Sequence, residues 1–455
     1  MPRTLRQTLG LLIFVVGALR LAAGYRPVRA WCRIAAHPNS ETTRMNTPFS
    51  APTRRALRTL SLAYFVQATG ALSVVGSLDA ISRQWGLADS QSAYLISVFG
   101  VTFAFAAPLL QVGFGHLRRR RQVLLGLGLF SAAALLFAAA PNYPVLLVSR
   151  VLMGLGAGFI GPVLGALGSS LADREHQGSA IAVVLLGLSI AGLVGMPLSA
   201  WIAHAWGARV LFLAVGVAGA ATATLIAWAV PDSSEGEHVK LSTVTALLTR
   251  IDTLSAFLVV FFIAAGVYST YSFIAPIIRD VFHAGPGTVS TSLVVLGVAG
   301  VAGNLFVTRA ARRYSAETML LAGLTLLSAD LVLLWLASPS VGWLFVALTA
   351  WAFATDLLWP SQQRRIVELV PQLRGVALAL TASFVFCGIG LGSAVAGWIY
   401  PALGFAGVIG SSLLFLALAT ASLKISRASG AQERPFDNIV VDRGRARHGG
   451  KGSQL

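Results

Sequence analysis

Between residues 57 and 423 the chain holds twelve successive runs of about twenty apolar residues, parted by short polar connections. At 1.5 Å per residue, each can cross the roughly 30 Å hydrocarbon core of a bilayer as a helix. They span 57–79, 91–112, 122–140, 144–167, 179–202 and 209–230, then 253–277, 288–308, 317–337, 342–362, 375–399 and 403–423. No soluble fold could cover so much apolar surface. Only 11% of the residues are charged, against about 25% in a typical globular protein. A soluble enzyme, a nucleic-acid-binding protein and a disordered chain are thereby excluded. A membrane barrel would need strict polar–apolar alternation, which the runs lack. The expected fold is an all-α membrane protein with twelve transmembrane helices.

Lys and Arg set the orientation, because they accumulate on the cytoplasmic side. With residue 56 inside, the inward connections hold thirteen basic residues, among them Arg118, Arg119, Arg120, Arg121, Arg309, Arg364 and Arg365. The outward ones hold three: Arg83, Arg209 and Arg279. Both termini are then cytoplasmic. The net charge of +17 reflects topology rather than nucleic-acid binding. A basic tail, 424–455, is expected to be disordered on the inner side. Residues 1–50 stand apart: Leu9–Leu19 is apolar but short for a span, and cleavage after it would reverse the charge pattern. Translation starting at Met45 is the simpler expectation for this extension.

A shift of 197 residues aligns the two halves. Gly178 falls on Gly375, Ala180 on Ala377, Gly195 on Gly392, Trp201-Ile202 on Trp398-Ile399, and Gly207 on Gly404. The chain therefore reads as a six-helix bundle (57–230), a charged linker (231–250) and a second six-helix bundle (251–423). A tandem 6+6 repeat is a transporter architecture.

Four motifs sharpen this reading. Gly115-His-Leu-Arg118-Arg119-Arg120-Arg121 follows the second span. The fourth carries Arg150-Val-Leu-Met-Gly154-Leu-Gly156-Ala-Gly158. The fifth carries Gly192-Leu-Val-Gly195-Met-Pro197, and the seventh Tyr268-Ser-Thr-Tyr271-Ser-Phe273-Ile-Ala-Pro276. In this order the chain resembles the major facilitator superfamily, and within it the drug:proton antiporters of the arabinose-efflux-permease type. The resemblance implies two six-helix bundles rocking about a midplane cavity, with the fifth and eighth helices meeting between the halves. It covers about 57–423. One departure stands out: no acid lies between Gly115 and Arg121, so the family's Asp–Arg relay in that loop cannot be carried over. The arginines are instead expected to bind helix C-terminal carbonyls or lipid phosphate.

Charges inside a span mark candidate function. Arg150 lies some 9 Å into the fourth span, and its repeat partner is Ala347. It either contacts substrate and tunes a nearby proton site, or snorkels to the headgroups. Asp356 in the tenth span and Asp330 in the ninth have no acidic counterpart in the first half, so either could carry a coupling proton. The alternative for Asp356 is an anchor to Arg364 or Arg365. The first span offers Gln67 and no central acid. Tyr64, Gln67, Tyr268, Tyr271, Phe273 and Asn304 are candidate cavity residues, or alternatively face lipid and neighbouring helices. Gly115, Arg118, Arg119, Arg120, Arg121, Gly154, Gly158, Gly192, Gly195, Pro197, Gly300 and Gly303 are candidates for gating and the interface between halves, since small residues let membrane helices approach.

Together these residues suggest a proton-coupled exporter of a small organic molecule in a bacterial inner membrane, functional as a monomer. A same-fold uptake symporter or uniporter is the nearest alternative, and a membrane-embedded transferase a distant one. No cofactor is expected. The sequence has no P-loop, no H-x-x-x-H zinc pattern and no disulfide framework around Cys32 and Cys387.

Overall fold

The computed structural model describes residues 49–173, 176–232, 235–236, 241–311, 313–336, 340–370 and 373–430. The expectations for the N-terminal extension, save its last two residues, and for the tail beyond residue 430 lie outside the described residues. Among the described residues every regular element is helical.

The first half comprises α1 (Ala51–Trp85), α2 (Asp89–Phe114), α3 (Arg119–Ala139), α4 (Tyr143–Ser170), α5 and α6 (Ala208–Ala229). α5 runs Gln177–Ile190, passes through a π turn at Ala191–Gly195, and continues as Met196–Trp206. The second half comprises α7 (Ile251–Tyr271, continuing as Ile274–Asp280), α8 (Pro286–Ala310), α9 (Ala316–Leu336), α10 (Val341–Leu369), and a continuous stretch Arg374–Gly430. That stretch breaks at Gly404 (φ 55°, ψ −145°); its arms are α11 and α12. Among the described residues eleven helices are long and apolar enough to cross a membrane, the last being this two-armed one. With its arms taken separately, the described spans are twelve.

Local chemistry sets the ends. Ser50 caps α1, accepting from the Thr53 N–H, with Pro52 in the first turn. The helix therefore starts six residues before the apolar run. It also runs past residue 79, because Ile81 is buried and the Trp85 indole donates to the Ala140 carbonyl (2.9 Å). Gly86, in the left-handed region at φ 64°, ends it. Asn142 and Ser340 cap α4 and α10 in the same way as Ser50. In α5 the π turn precedes Pro197, which has no N–H to donate; the widened turn absorbs the lost i→i−4 bond. The repeat survives in the backbone, since Gly207 and Gly404 both have positive φ between paired helices.

The linker is more structured than its charge suggests. Leu241–Thr249 is a helix whose Val244 and Leu247 pack on Phe257, Ile366 and Val370 at one end of the second half. α12 likewise extends to Gly430, into the segment expected to be tail. The first half is built on a core of Leu57, Phe99, Phe130, Phe137, Met153 and Phe212. The outward sides of the helices carry large apolar groups such as Phe105, Trp228 and Trp398, as a lipid-facing surface requires.

Candidate functional site

The two halves meet along a seam of glycines. Gly100 of α2 lies against the Phe386 carbonyl and Gly390 of α11. Gly390 faces the Ser97 carbonyl, and Gly397 faces Ser90 and Ala93. Phe103 and Phe386 close its deep end, with ring centroids 4.2 Å apart. On the other side Gly297 of α8 faces Leu193 in the π turn of α5, and Gly76 of α1 faces Leu293. A Cβ on Gly100 would sit 2.5 Å from a backbone oxygen, so Gly100→Val cannot fit without backbone movement. Cysteines replacing Ala93 and Gly397, whose β-carbons would lie 3.4 Å apart, should form a disulfide. Adding Gly100→Val should cut its yield severalfold; an unchanged yield would disprove the packing role.

At the end of the seam away from the 115–121 loop sits a cross-half ionic clasp. Arg279 of α7 donates to Asp79 of α1 (2.8 Å), Asp89 of α2 (2.7 Å) and its neighbour Asp280 (2.6 Å). Tyr400 of α11 donates to Asp280 (2.7 Å), and Ser82 to Asp89 (3.1 Å). Sequence reasoning missed this cluster. The available signal was that Arg279 is one of only three arginines on its side, with three acids close to the same helix ends.

Tyr268 and Tyr271 stack edge to face at 5.4 Å. With Trp359 they pack against the apolar cores of both halves, while Tyr64 packs on the first. Gln67 is buried in α1. Asn304 is exposed on α8. Phe273 departs from expectation: it is fully buried near the clasp, beside Tyr400, and not among the central residues. Hydroxyl pairs hold this region together, namely Ser269–Ser411, Thr270–Ser412 and Ser272–Ser393.

Asp356 lies about 22 Å along α10, near the middle of that helix. Its carboxylate rests in a slot on α8: a Cβ on Gly300 would come within 2.9 Å of Oδ2, and one on Gly303 within 3.0 Å of the Asp356 Cβ. Pro360, four residues on, has no N–H to offer the Asp356 carbonyl, so this mid-helix spot is doubly polar. The anchor alternative fails. Arg364 is taken by Glu368 and by the Ala311 and Tyr314 carbonyls, and Arg365 by Glu317 and Ser426. Asp330 is buried among the leucines of α9, and its Oδ2 has no hydrogen-bond partner.

Several interface glycines are reassigned. Gly300 and Gly303 serve Asp356, within the second half. Gly154 and Gly158 face Thr102 and Ala106 of α2, Gly195 faces Thr69 of α1, and Gly192 faces open space. All but Gly192 pack helices inside one half, because each helix presents only one of its faces to the other half.

Arg150 is neither snorkelling nor central. It is wholly buried, donating to the carbonyls of Leu95 (3.0 Å), Gly70 (3.3 Å) and Ala71 (2.8 Å), with its guanidinium over the Phe99 ring. It pins α1, α2 and α4 together. Arg150→Ala should lower the melting temperature in detergent by several degrees, since emptying so large a buried site costs about 3–5 kcal/mol. Unchanged melting with lost transport would return Arg150 to the transport path.

The 118–121 arginines do bind helix ends. Arg119 donates to the Ala166 carbonyl at the end of α4, and Arg120 to that of Ala227 at the end of α6. Arg118 and Arg121 pair with Asp232 of the linker (2.9 and 3.8 Å). An acid after α6 thus faces the loop that has no acid of its own, and Gly236 of the linker packs on Gly115 and Leu117. These contacts lie within the first half and its linker.

Comparison with known proteins adds identity to this geometry. The sequence model of the Major Facilitator Superfamily matches residues 60–255 and 256–440. The chain is 28% identical over 365 residues to the inner membrane transport protein YdhP of Escherichia coli (strain K12), covering 80% of this chain and 94% of that protein. It is 26% identical over 338 residues to the uncharacterized MFS-type transporter YbcL of Bacillus subtilis (strain 168), covering 74% and 87%. Among solved structures, it resembles a bacterial homolog to the human lysosomal transporter Spinster in an inward-facing and unoccupied conformation. There the TM-score is 0.66 at 15% identity, over 84% of this chain and 96% of that one. The occupied form of that homolog gives 0.63 at 16% identity.

Proposed function

The chain belongs to the major facilitator superfamily of membrane transporters, and from that premise we propose that it exports a small organic molecule in exchange for protons. It is a multi-pass membrane protein; the proposal puts it in a bacterial inner membrane with both termini in the cytoplasm, acting as a monomer. The arginine asymmetry supports that orientation, and the name of the E. coli relative agrees with that membrane. The drug:proton antiporter type is supported by the motifs on the second, fourth, fifth and seventh helices.

The observation that carries the proton reading is Asp356. It is an acid in mid-membrane, set against a glycine slot, with no cation paired to it among the described residues. Such a carboxyl can take up a proton on one side and release it on the other as the halves rock. Tyr64, Tyr268, Tyr271 and Gln67 supply apolar faces with polar tips for a ligand. A second reading, a uniporter or uptake symporter, draws on Gln67: the first helix carries an amide and no acid.

Growth-inhibition and uptake screens in an efflux-deficient host identify a substrate. Proteoliposomes with an imposed pH gradient then decide the mechanism. Antiport predicts that substrate accumulates on the side from which protons leave. Accumulation with the protons would make it a symporter, and indifference to the gradient a uniporter.

A further inference from the structure

A groove of about 370 Å³ runs along one stripe of α1 at its N-terminal end, lined by Ala51, Arg54, Arg55, Arg58, Thr59 and Leu62. Ala51, Arg55, Arg58 and Leu62 turn away from the protein core, while Thr59 is buried at the edge of the groove. Leu57, on the opposite side of the helix, is fully buried and lies near Gly168 of α4. α5 approaches on one flank, where Gly187 meets the Ser61 carbonyl. α6 approaches on the other, where the Arg55 guanidinium lies 5.2 Å from the Trp228 ring. Arg55 and Arg58 are exposed, and the first turn of the helix holds no acid. One turn deeper the groove changes character: Leu62 is exposed, as are Leu225 and Trp228 on α6 and Leu185, Leu186 and Leu188 on α5.

We infer that this groove is a binding site for an anionic phospholipid, with the phosphodiester held by Arg55, Arg58 and Arg54 and an acyl chain laid over Leu62. Two surfaces coincide here in the order a lipid presents them. Cationic side chains stand where a span leaves the membrane, and apolar side chains begin within about 6 Å along the same stripe, the rise of four residues. A free phosphate would use the first surface and leave the second uncovered. The Trp228 ring, apolar with one polar N–H, suits the boundary between them. Arginine suits the headgroup, since its planar fork matches phosphate oxygens in pairs.

The test uses the full chain, stripped of lipid in an uncharged detergent and titrated with phosphatidylglycerol, phosphatidylcholine or glycerol 3-phosphate, with bound molecules counted by native mass spectrometry. Wild type should hold phosphatidylglycerol in preference to the other two. The double variant Arg55→Gln, Arg58→Gln should hold one tightly bound phosphatidylglycerol fewer, at roughly fivefold weaker binding for each arginine removed. Arg55→Lys, Arg58→Lys, which keeps the charge, should retain most of the binding and guards against a folding defect. Equal binding of phosphatidylcholine, or an unchanged count in the Gln variant, would overturn the proposal. Binding of glycerol 3-phosphate as tight as that of phosphatidylglycerol would also overturn it, by making this a site for soluble phosphate.

Discussion

Arg279→Ala is expected to open the clasp and shift the protein towards the state in which that end of the bundle is parted. The wild-type guanidinium neutralises Asp79 and Asp89 from the first half and Asp280 from the second, all within 3 Å. Its side chain is 45% exposed, so solvent screens each contact and holds it to at most about 1 kcal/mol. Removing the cation also leaves three carboxylates facing one another across the seam. Only the Asp79 and Asp89 contacts cross the seam, so a loss of about 1–2 kcal/mol follows, equivalent to a roughly 5- to 30-fold change in the ratio of the two conformations. Spin labels at Ala88, between α1 and α2, and Leu403, at the end of α11, straddle the seam on exposed positions. Their distance distribution in lipid nanodiscs should be dominated by a short component in wild type and a long one in the variant. Arg279→Lys, with a point charge in place of the fork, should fall between. A wild-type distribution in Arg279→Ala would show that the glycine seam alone holds this end closed.

The helical spans are legible because a bilayer leaves the chain few choices: apolar run length, loop arginines and a 197-residue repeat need no knowledge of neighbours. Gly207 and Gly404, matched in sequence, turned out to share a positive φ between paired helices. Which face a glycine presents was another matter. Gly297, Gly300 and Gly303 lie within two turns of α8, yet the first meets α5 and the others meet Asp356; helix rotation and crossing angle decide that, and neither is written in the spacing. The pinning role of Arg150 is not legible because its partners are backbone carbonyls, which every residue has and no motif marks. The clasp is hard to read because Arg279 stands 200 residues from Asp79 and 190 from Asp89, and only the distribution of charge over the helix ends points to it. Asp232 reads only as linker in the sequence, since its role depends on α6 ending beside the 115–121 loop.

Asp356→Asn is expected to uncouple transport from the proton gradient while leaving substrate exchange intact. Asparagine keeps the size and planarity of the carboxylate, so it fits the slot over Gly300 and Gly303, where even a methyl group on α8 would crowd the aspartate. It cannot take up or release a proton. A ligand shifts a two-state equilibrium only by its differential affinity for the two states, and a proton obeys the same rule. If protonation of Asp356 differs by one pKa unit between the two conformations, the shift is about 1.4 kcal/mol, or tenfold. Gradient-driven flux should fall by at least that factor, whereas exchange of labelled for unlabelled substrate without a gradient should continue near the wild-type rate. A purely structural role predicts another pattern: lower yield or melting temperature, with an unchanged ratio of protons to substrate in the protein that survives. Arg364 and Arg365, engaged elsewhere, leave no ion pair for the substitution to break, so a stability loss has no obvious source at this position. The proton-to-substrate ratio in proteoliposomes separates the two outcomes. A normal ratio would remove Asp356 from the coupling step and transfer it to Asp330, which is buried among the leucines of α9 with its Oδ2 unpartnered.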